Sequence, residues 1–407
     1  MGVPGFTTYL DSNTHIFLDF RLKSTKIIVD GNNLLHFLYN LYQIPYHYGG
    51  DYTIFADTCR QFFLSLTKCL VLPYVVFDGA YDLDGKKFNS SRLRAAKKVT
   101  ASLNNTKDGC AFVVPLLTQE IFKEILDELL IKHVTCNYEA DDQIASLAAE
   151  WKCPVLTNDS DFFIFDLPGG VILLDYLNMA IKTDEDGAFY MDVQMYSAEK
   201  LKKVMGIHDH SLIHLFATVM GNEYIPGSTF EQFFRKLNYF SHVPGIKLNQ
   251  IPNDRRKIFG LFKWFALKRN IKAAIRDIMF ELNCNTDEEN RIRALINKSI
   301  EKYSITNCYI HVIFNDYDEV FTSEDNFSKV DTGKLINNHN ESAPVCFKMH
   351  FNQGALNSKL ANIFVSQKVL LQPQIENRTD PSSHVCSSKV RELLYGLLLK
   401  SGPEGEH

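Results

Sequence analysis

The stretch Glu139-Ala-Asp-Asp-Gln-Ile-Ala-Ser-Leu-Ala-Ala-Glu-Trp-Lys-Cys-Pro-Val-Leu-Thr-Asn-Asp-Ser-Asp161 decides how this chain is read. It opens on one acidic cluster, Glu139-Ala-Asp-Asp142, and closes on another, Asn158-Asp-Ser-Asp161. Between them Ala140, Ile144, Leu147, Ala148 and Trp151 recur at helical spacing, which makes them the buried face of an amphipathic helix with Glu139 and Asp141 at its first turn. Pro154-Val-Leu-Thr157 follows as a short apolar strand, and Val134-Thr-Cys136 reads as another just ahead of Glu139. Both clusters therefore stand at strand ends, where open α/β sheets bind their ligands. Carboxylates crowded together repel one another, and a fold that concentrates them binds hard divalent cations such as Mg²⁺. Helix caps and turns draw on the same residue types, so it is the repetition that points to a metal.

Outward from this stretch the pattern recurs. Lys26-Ile-Ile-Val-Asp30 is an apolar strand ending in an acid, followed by Gly31-Asn-Asn33 and a helical run from Leu34 to Tyr42. Asp51 to Leu70 carries Phe55, Cys59, Phe62, Phe63 and Leu66 at helical spacing, and Pro73-Tyr-Val-Val-Phe-Asp78-Gly79 repeats the order of strand, acid and glycine. Then come Lys86, Lys87, Arg92, Arg94, Lys97 and Lys98, with few apolar anchors among them. Such a segment is a solvated connection or an element that grips phosphates. Pro115 to Leu130 reads as a helix with Leu117, Ile121, Ile125 and Leu129 on one stripe and Lys123, Glu124, Asp127 and Glu128 opposite. Leu212 to Met220 is a further apolar helix, ending at Gly221-Asn-Glu223-Tyr224, where glycine suits a helix C-terminus. Strands alternating with helices predict an α/β fold over about residues 1–230, a mainly parallel sheet flanked by helices.

At 407 residues and 45% hydrophobic content the chain has the apolar material for two or more domains. A net charge of −5 excludes a protein coated in basic residues but allows a local basic patch. Nine cysteines without a CxxC pair predict free thiols in a reducing compartment, not zinc or disulfides. Met1-Gly2 does not continue into a myristoylation pattern, since Phe6 stands at the sixth position. No apolar run is long enough for a membrane span, so a soluble intracellular chain without a membrane partner is expected. Arg255 to Met279 reads as a helix pair with an apolar stripe of Ile258, Leu261, Phe262, Phe265 and Leu267 and a basic exposed face, either solvated or laid on a DNA backbone. The acidic and polar composition from about Asn315 to Ser342 predicts a linker or loop, and Ala355–Leu371 and Lys389–Leu399 read as closing helices.

Taken in order, Met1-Gly-Val-Pro-Gly-Phe6, Ile28-Val-Asp-Gly31, Val76-Phe-Asp-Gly79, Glu139-Ala-Asp141, Thr157-Asn-Asp-Ser-Asp161 and Gly221-Asn-Glu-Tyr224 resemble the motifs of the flap endonuclease, or XPG-type, nuclease family. Tyr48-Gly-Gly-Asp-Tyr52, Cys153-Pro-Val-Leu156 and Leu394-Tyr-Gly-Leu-Leu-Leu399 are similar to its asteroid branch. The resemblance implies a PIN-like, flap-endonuclease-like fold and a mostly helical C-terminal part. It implies that Asp30, Asp78, Glu139, Asp141, Asp159 and Asp161, with Glu223 as a seventh acid, are catalytic and hold two Mg²⁺ ions, for which Mn²⁺ can substitute. In an unbroken helix Asp142, not Asp141, would share a face with Glu139, an objection that weakens if Glu139 precedes the helix proper.

By the same resemblance Gly2 is the mature N-terminus near the site, and Lys86, Lys87, Arg92, Arg94, Lys97 and Lys98 occupy the helical gateway that reaches the scissile phosphate. Where the family has Glu and Asp, this chain has Asp141 and Glu223, and Ile225-Pro-Gly-Ser-Thr-Phe230 replaces the glycine-bearing hairpin of the duplex clamp. The implied organisation is a nuclease domain over 1–230, a helical basic segment over 231–314, a polar linker or loop over 315–345 and a helical C-terminal segment over 346–407. The implied activity is a structure-specific DNA endonuclease, working by a two-metal mechanism on branched or overhanging DNA near single-strand to double-strand junctions, in the nucleus, with possible protein partners. The competing expectations are a weak or inactive pseudonuclease that scaffolds protein or RNA partners, and a nuclease of single-stranded RNA.

Overall fold

Ile27, Ile28 and Val29 are three consecutive β-branched residues, all fully buried. A run of that kind is stable only as an interior strand covered on both faces, as in parallel sheets packed between helices. The computed structural model describes residues 3–46, 49–81, 86–104, 112–237, 252–305, 308–320, 350–353, parts of 356–374, and 379–399. Its elements run α1 Phe6–Asp11, β1 Phe17–Leu22, β2 Lys26–Asp30, α2 Gly31–Leu41, α3 Tyr52–Lys68, β3 Leu72–Phe77 and α4 Lys86–Asn104. They continue with α5 Thr118–Glu128, β4 His133–Thr135, α6 Asp141–Trp151, β5 Val155–Leu156, β6 Val171–Thr183, β7 Phe189–Tyr196, α7 Ala198–Met205 and α8 Ser211–Met220. Then follow α9 Glu231–Lys236, α10 Asn253–Ala266, α11 Ile271–Leu282, α12 Thr286–Glu301, α13 Ile310–Val320 and a late helix over Ser388–Leu399. No helix among the described residues is long and apolar enough to cross a membrane.

The chain divides into two units, each built from separated segments. One combines 24–147 with 308–407. Its strands stand in the order β2-β3-β4, parallel throughout, with Asp30 level with Val76 and Phe77 level with Thr135. Helices α2, α3 and α5 cover it through Tyr39, through Phe55 and Phe63, and through Phe122 in turn, and Phe77 meets Phe122 edge-on at 5.8 Å. Each such ring contributes roughly 2–3 kcal/mol on burial. Asp51 caps α3 by accepting from the Ile54 N–H at 3.0 Å.

The other unit combines 1–23 with 148–307, and its strands stand in the order β1-β7-β6-β5. β5 and β6 are parallel, whereas β7 runs antiparallel to both β6 and β1. Its helical core gathers on Phe6 of α1, which lies 4.9 Å from Phe216 of α8 and 6.1 Å from Phe262 of α10. Phe216 and Phe262 themselves stack at 4.5 Å.

The α/β fold, with a mainly parallel sheet flanked by helices, is as the sequence implies, and five details differ. The antiparallel β6–β7 arm was not expected; it turns at Asp184-Glu-Asp-Gly187, with Gly187 at φ 82°. Of the expected α5 stripe only Ile125 is buried, joined by Thr118, Phe122 and Leu126, and Lys123, assigned to the wet side, is buried with its ammonium 3.2 Å from Thr135 Oγ1. Leu267 ends the α10 stripe 83% exposed. α13 runs through Asn315 to Val320, so the start of the polar stretch is helical. It begins at Ile310, which is fully buried and anchors that turn. The rest of that stretch lies outside the described residues, as does much of 355–366, while 367–374 are not helical.

Gly79 shows how tightly the first unit is drawn together. Its N–H donates to Tyr138 O at 2.7 Å, and a Cβ placed there would stand 1.8 Å from Cys136 O. Backbone cannot yield as a flexible side chain does. Gly79→Ala is expected to destabilise the fold by about 2–3 kcal/mol or more, read as a lower urea midpoint. Gly396→Ala, with nothing within 4 Å of the added carbon, is the control and should leave the midpoint unchanged or raise it.

Candidate functional site

In the unit built on β2, β3 and β4, the predicted acids leave the C-terminal ends of neighbouring parallel strands. Asp30 closes β2 and caps α2, its Oδ1 accepting from the Asn33 N–H at 3.0 Å. Asp78 directly follows β3. Its Oδ1 accepts from the Ala140 N–H at 2.9 Å and its Oδ2 from Asn32 Nδ2 at 2.6 Å. Asn32 thus ties the segment after Asp30 to Asp78. The close approach at Gly79 brings the 137–140 segment to the same strand end, and with it Glu139. Glu139 precedes α6, whose first residue is Asp141, so the helical-face objection to pairing Glu139 with Asp141 does not apply. Asp141 and Asp142 both occupy the first turn, where the helix dipole favours negative charge.

In the other unit, Asp159 follows β5 and caps a single 3₁₀ turn over Ser160–Phe163. Its N–H donates to Thr157 Oγ1 at 3.0 Å and its Oδ1 accepts from the Asp161 N–H at 3.0 Å. Asn158 Oδ1 accepts from the Asp175 N–H of β6 at 3.2 Å, which fixes the turn to the sheet. Asp161 is only 2% exposed. Burial raises its carboxyl pKa above the usual range; Lys302 opposes that shift, and Asp159 and Glu223 add to it.

Glu223 is placed by the end of α8. Gly221 takes φ 103° there, where a Cβ would collide with Gly227 N at 2.5 Å. Asn222 Oδ1 then accepts from the Tyr224 N–H at 3.0 Å and the Ile225 N–H at 3.3 Å. Asn222 Nδ2 donates to Ser299 Oγ of α12 at 2.6 Å, and Ser299 in turn shares a hydrogen bond with Thr218 Oγ1 at 2.7 Å. This clasp sets Glu223 beside Lys302, whose Nζ is 3.0 Å from Glu223 Oε1 and 3.6 Å from Asp161 Oδ2.

Sequence reasoning missed Lys302 and Asn32. Lys302 ends the ordinary-looking helical run Asn297-Lys-Ser-Ile-Glu-Lys302, and no spacing rule links it to Asp161. Asn32 had a signal, an amide between two strand-end acids. Gly2 lies outside the described residues. Lys86, Lys87, Arg92, Arg94, Lys97 and Lys98 all fall on α4, and Arg92, Arg94, Lys97 and Lys98 are exposed. The basic face of α10 and α11 is smaller than its composition implies. Lys257 pairs with Glu231 at 2.5 Å and Lys268 with Asp277 at 2.7 Å, whereas Lys263, Arg269, Lys272 and Arg276 are exposed.

Residues 110–241 match the family model described as XPG domain containing. The human protein named single-strand DNA endonuclease ASTE1 is 30% identical over 405 residues, covering 99% of this chain and 57% of that protein. Protein asteroid of Drosophila melanogaster is 27% identical over 368 residues, 78% of this chain and 42% of that one. The similarity to asteroid-type relatives thus runs over nearly the whole of this chain. It spans a little over half the length of the curated relatives it matches. The catalytic core of Rad2 in complex with DNA substrate aligns with 75% of this chain and 82% of its own, at 17% identity and a TM-score of 0.40, a likeness too loose to say anything of the site.

The raised pKa of Asp161 has a sign that can be read in solution. The folded chain keeps a proton there that the unfolded chain, with a value near 3.9, has already released. Metal-free stability therefore falls as pH rises from about 4 through the higher folded value, and stays lower above it. Asp161→Asn should remove that fall and melt higher than wild type by about 2 °C at pH 7 in a chelating buffer. A variant that melts lower at pH 7 would show that the ionised Asp161 is net stabilising.

Proposed function

We propose that the chain is a divalent-metal-dependent DNA endonuclease in which Asp30, Asp78, Glu139, Asp141, Asp159, Asp161 and Glu223 are the metal-holding, catalytic acids. The observation that carries this reading is the placement of the acids. Asp30 ends a strand, Asp78 and Asp159 follow one, and each is held by a backbone N–H. Glu139 and Asp141 stand at the start of α6, and Glu223 is set by the Asn222 clasp. The donor set fits Mg²⁺, with Mn²⁺ as a substitute, because it is all carboxylate oxygen. Each carboxylate has about four lone-pair sites, so one or two accepted hydrogen bonds leave capacity for a hard cation. Asp161 and Glu223 already face a positive charge in Lys302, which is the electrostatic setting a cation needs.

A bound pair of such ions would lower the pKa of the attacking water and stabilise the leaving oxygen of a phosphodiester. The chain's own part is to hold the acids rigidly and to bring the phosphate. The exposed cations of α4, Arg92, Arg94, Lys97 and Lys98, with Lys86 and Lys87 on the same helix, serve the second task as distributed backbone contacts. The name of the human relative supports single-stranded DNA as part of the substrate. Overhangs and junctions that present a single strand beside a duplex are the structures proposed. Nuclear residence is proposed on this DNA reading alone.

Labelled flap, overhang, bubble, hairpin and RNA substrates incubated with the purified chain in Mg²⁺ or Mn²⁺ test the proposal, with an Asp159→Ala, Asp161→Ala double variant alongside. DNA cutting that falls by about 100-fold or more in the double variant is expected. Preference for RNA would move the reading to a ribonuclease. Equal silence of two folded proteins on every substrate would favour a scaffold without catalysis.

A further inference from the structure

Among the described residues, Lys302 is paired with both Asp161 and Glu223, and the reading above gives its ammonium no task of its own. Its ammonium is 3.0 Å from Glu223 and 3.6 Å from Asp161, and its side chain is largely buried. The placement is built. Ser299, three residues earlier on the same helix face, is fully buried and hydrogen-bonded to both Thr218 and Asn222. The end of α12 is thereby registered against the end of α8, just ahead of Glu223. A lysine supplies a compact point charge on a flexible four-carbon stem, unlike the rigid fork of arginine.

We infer that Lys302 is a tethered cation that stands in for metal at Asp161 and Glu223, is displaced when metal enters, and so sets the protein's metal affinity. The inference rests on the reading of these two acids as metal ligands. Two carboxylates held this close with little water would repel strongly without a counter-charge. The ammonium meets that need in the metal-free protein. A divalent ion at the same oxygens carries the same sign as the ammonium, so the two compete. Withdrawal has a route, because Lys302 follows the last residue of α12 and its Nζ already lies 5.9 Å from the centre of the Tyr303 ring, a face that attracts cations.

Lys302→Met keeps the length of the stem and removes the charge. Titration calorimetry with Mn²⁺ and Mg²⁺ on the full chain, with melting curves in chelator and in saturating Mn²⁺, separates the roles. Lys302→Met is expected to bind Mn²⁺ tighter by on the order of ten-fold. It should melt lower than wild type in chelator and regain the difference in Mn²⁺. Lys302→Arg, which retains the charge, should bind no tighter than wild type. If the Met variant fails to fold without metal, Lys302→Gln is measured in its place, and rescue of either by Mn²⁺ supports the inference whereas absence of rescue overturns it. Metal binding that Asp161→Asn weakens but Lys302→Met leaves unchanged, or weakens as well, overturns the role of Lys302 alone. Absence of metal binding in wild type overturns the metal reading and this inference together.

Discussion

A carboxylate keeps its charge at the end of a buried strand only when donors or cations meet it, because an isolated charge in low dielectric is costly. Much of the local structure in this protein answers that constraint. Asp30 takes the Asn33 N–H, Asp78 takes Ala140 N–H and the Asn32 amide, and Asp159 takes the Asp161 N–H. Asp161, the most buried of the group, sits near the Lys302 ammonium. The answers differ in kind. Backbone donors are fixed by the chain's path and cannot leave, whereas a lysine can.

The same constraint explains why particular small residues surround the acids. Gly79 lets the 137–140 segment pass over the end of β3 closely enough for Ala140 to reach Asp78, and Gly31 sits where a Cβ would enter the Phe77 ring. Gly221 ends α8 so that Asn222 can turn the chain and fasten it to Ser299. The acids are the visible part of a scaffold that is mostly glycine, amide and hydroxyl.

The parallel strands and the acids were legible because each signal is local. β2 has the range expected, Lys26 to Asp30, since three β-branched residues bounded by a charge and a glycine admit little else. The α5 face shares only Ile125 with the expected stripe and turns about one position from it. The Leu117 end is exposed, while Phe122 reaches Phe77 and Lys123 runs inward until its ammonium lies over the Phe77 ring, a burial that the charge of lysine hides and the length of its stem allows. The β6–β7 arm was missed because half of it is solvated and its apolar period is broken by register shifts. Lys302 was illegible for a different reason. Its meaning lies in residues 79 and 141 positions away in the chain, and no single-sequence periodicity spans that distance.

The helix α1 bears on how the protein is made. Phe6 leaves the ribosome long before the rings that enclose it, Phe216 and Phe262, which come from α8 and α10. Synthesis is vectorial, and contacts far apart in sequence form only after both partners exist. The opening segment therefore waits, its aromatic side chains uncovered, while some 250 residues are added, and the unit that carries Asp159, Asp161 and Glu223 closes only after α10 has emerged. A nascent chain cut short of that point has the acids but not the core that holds them.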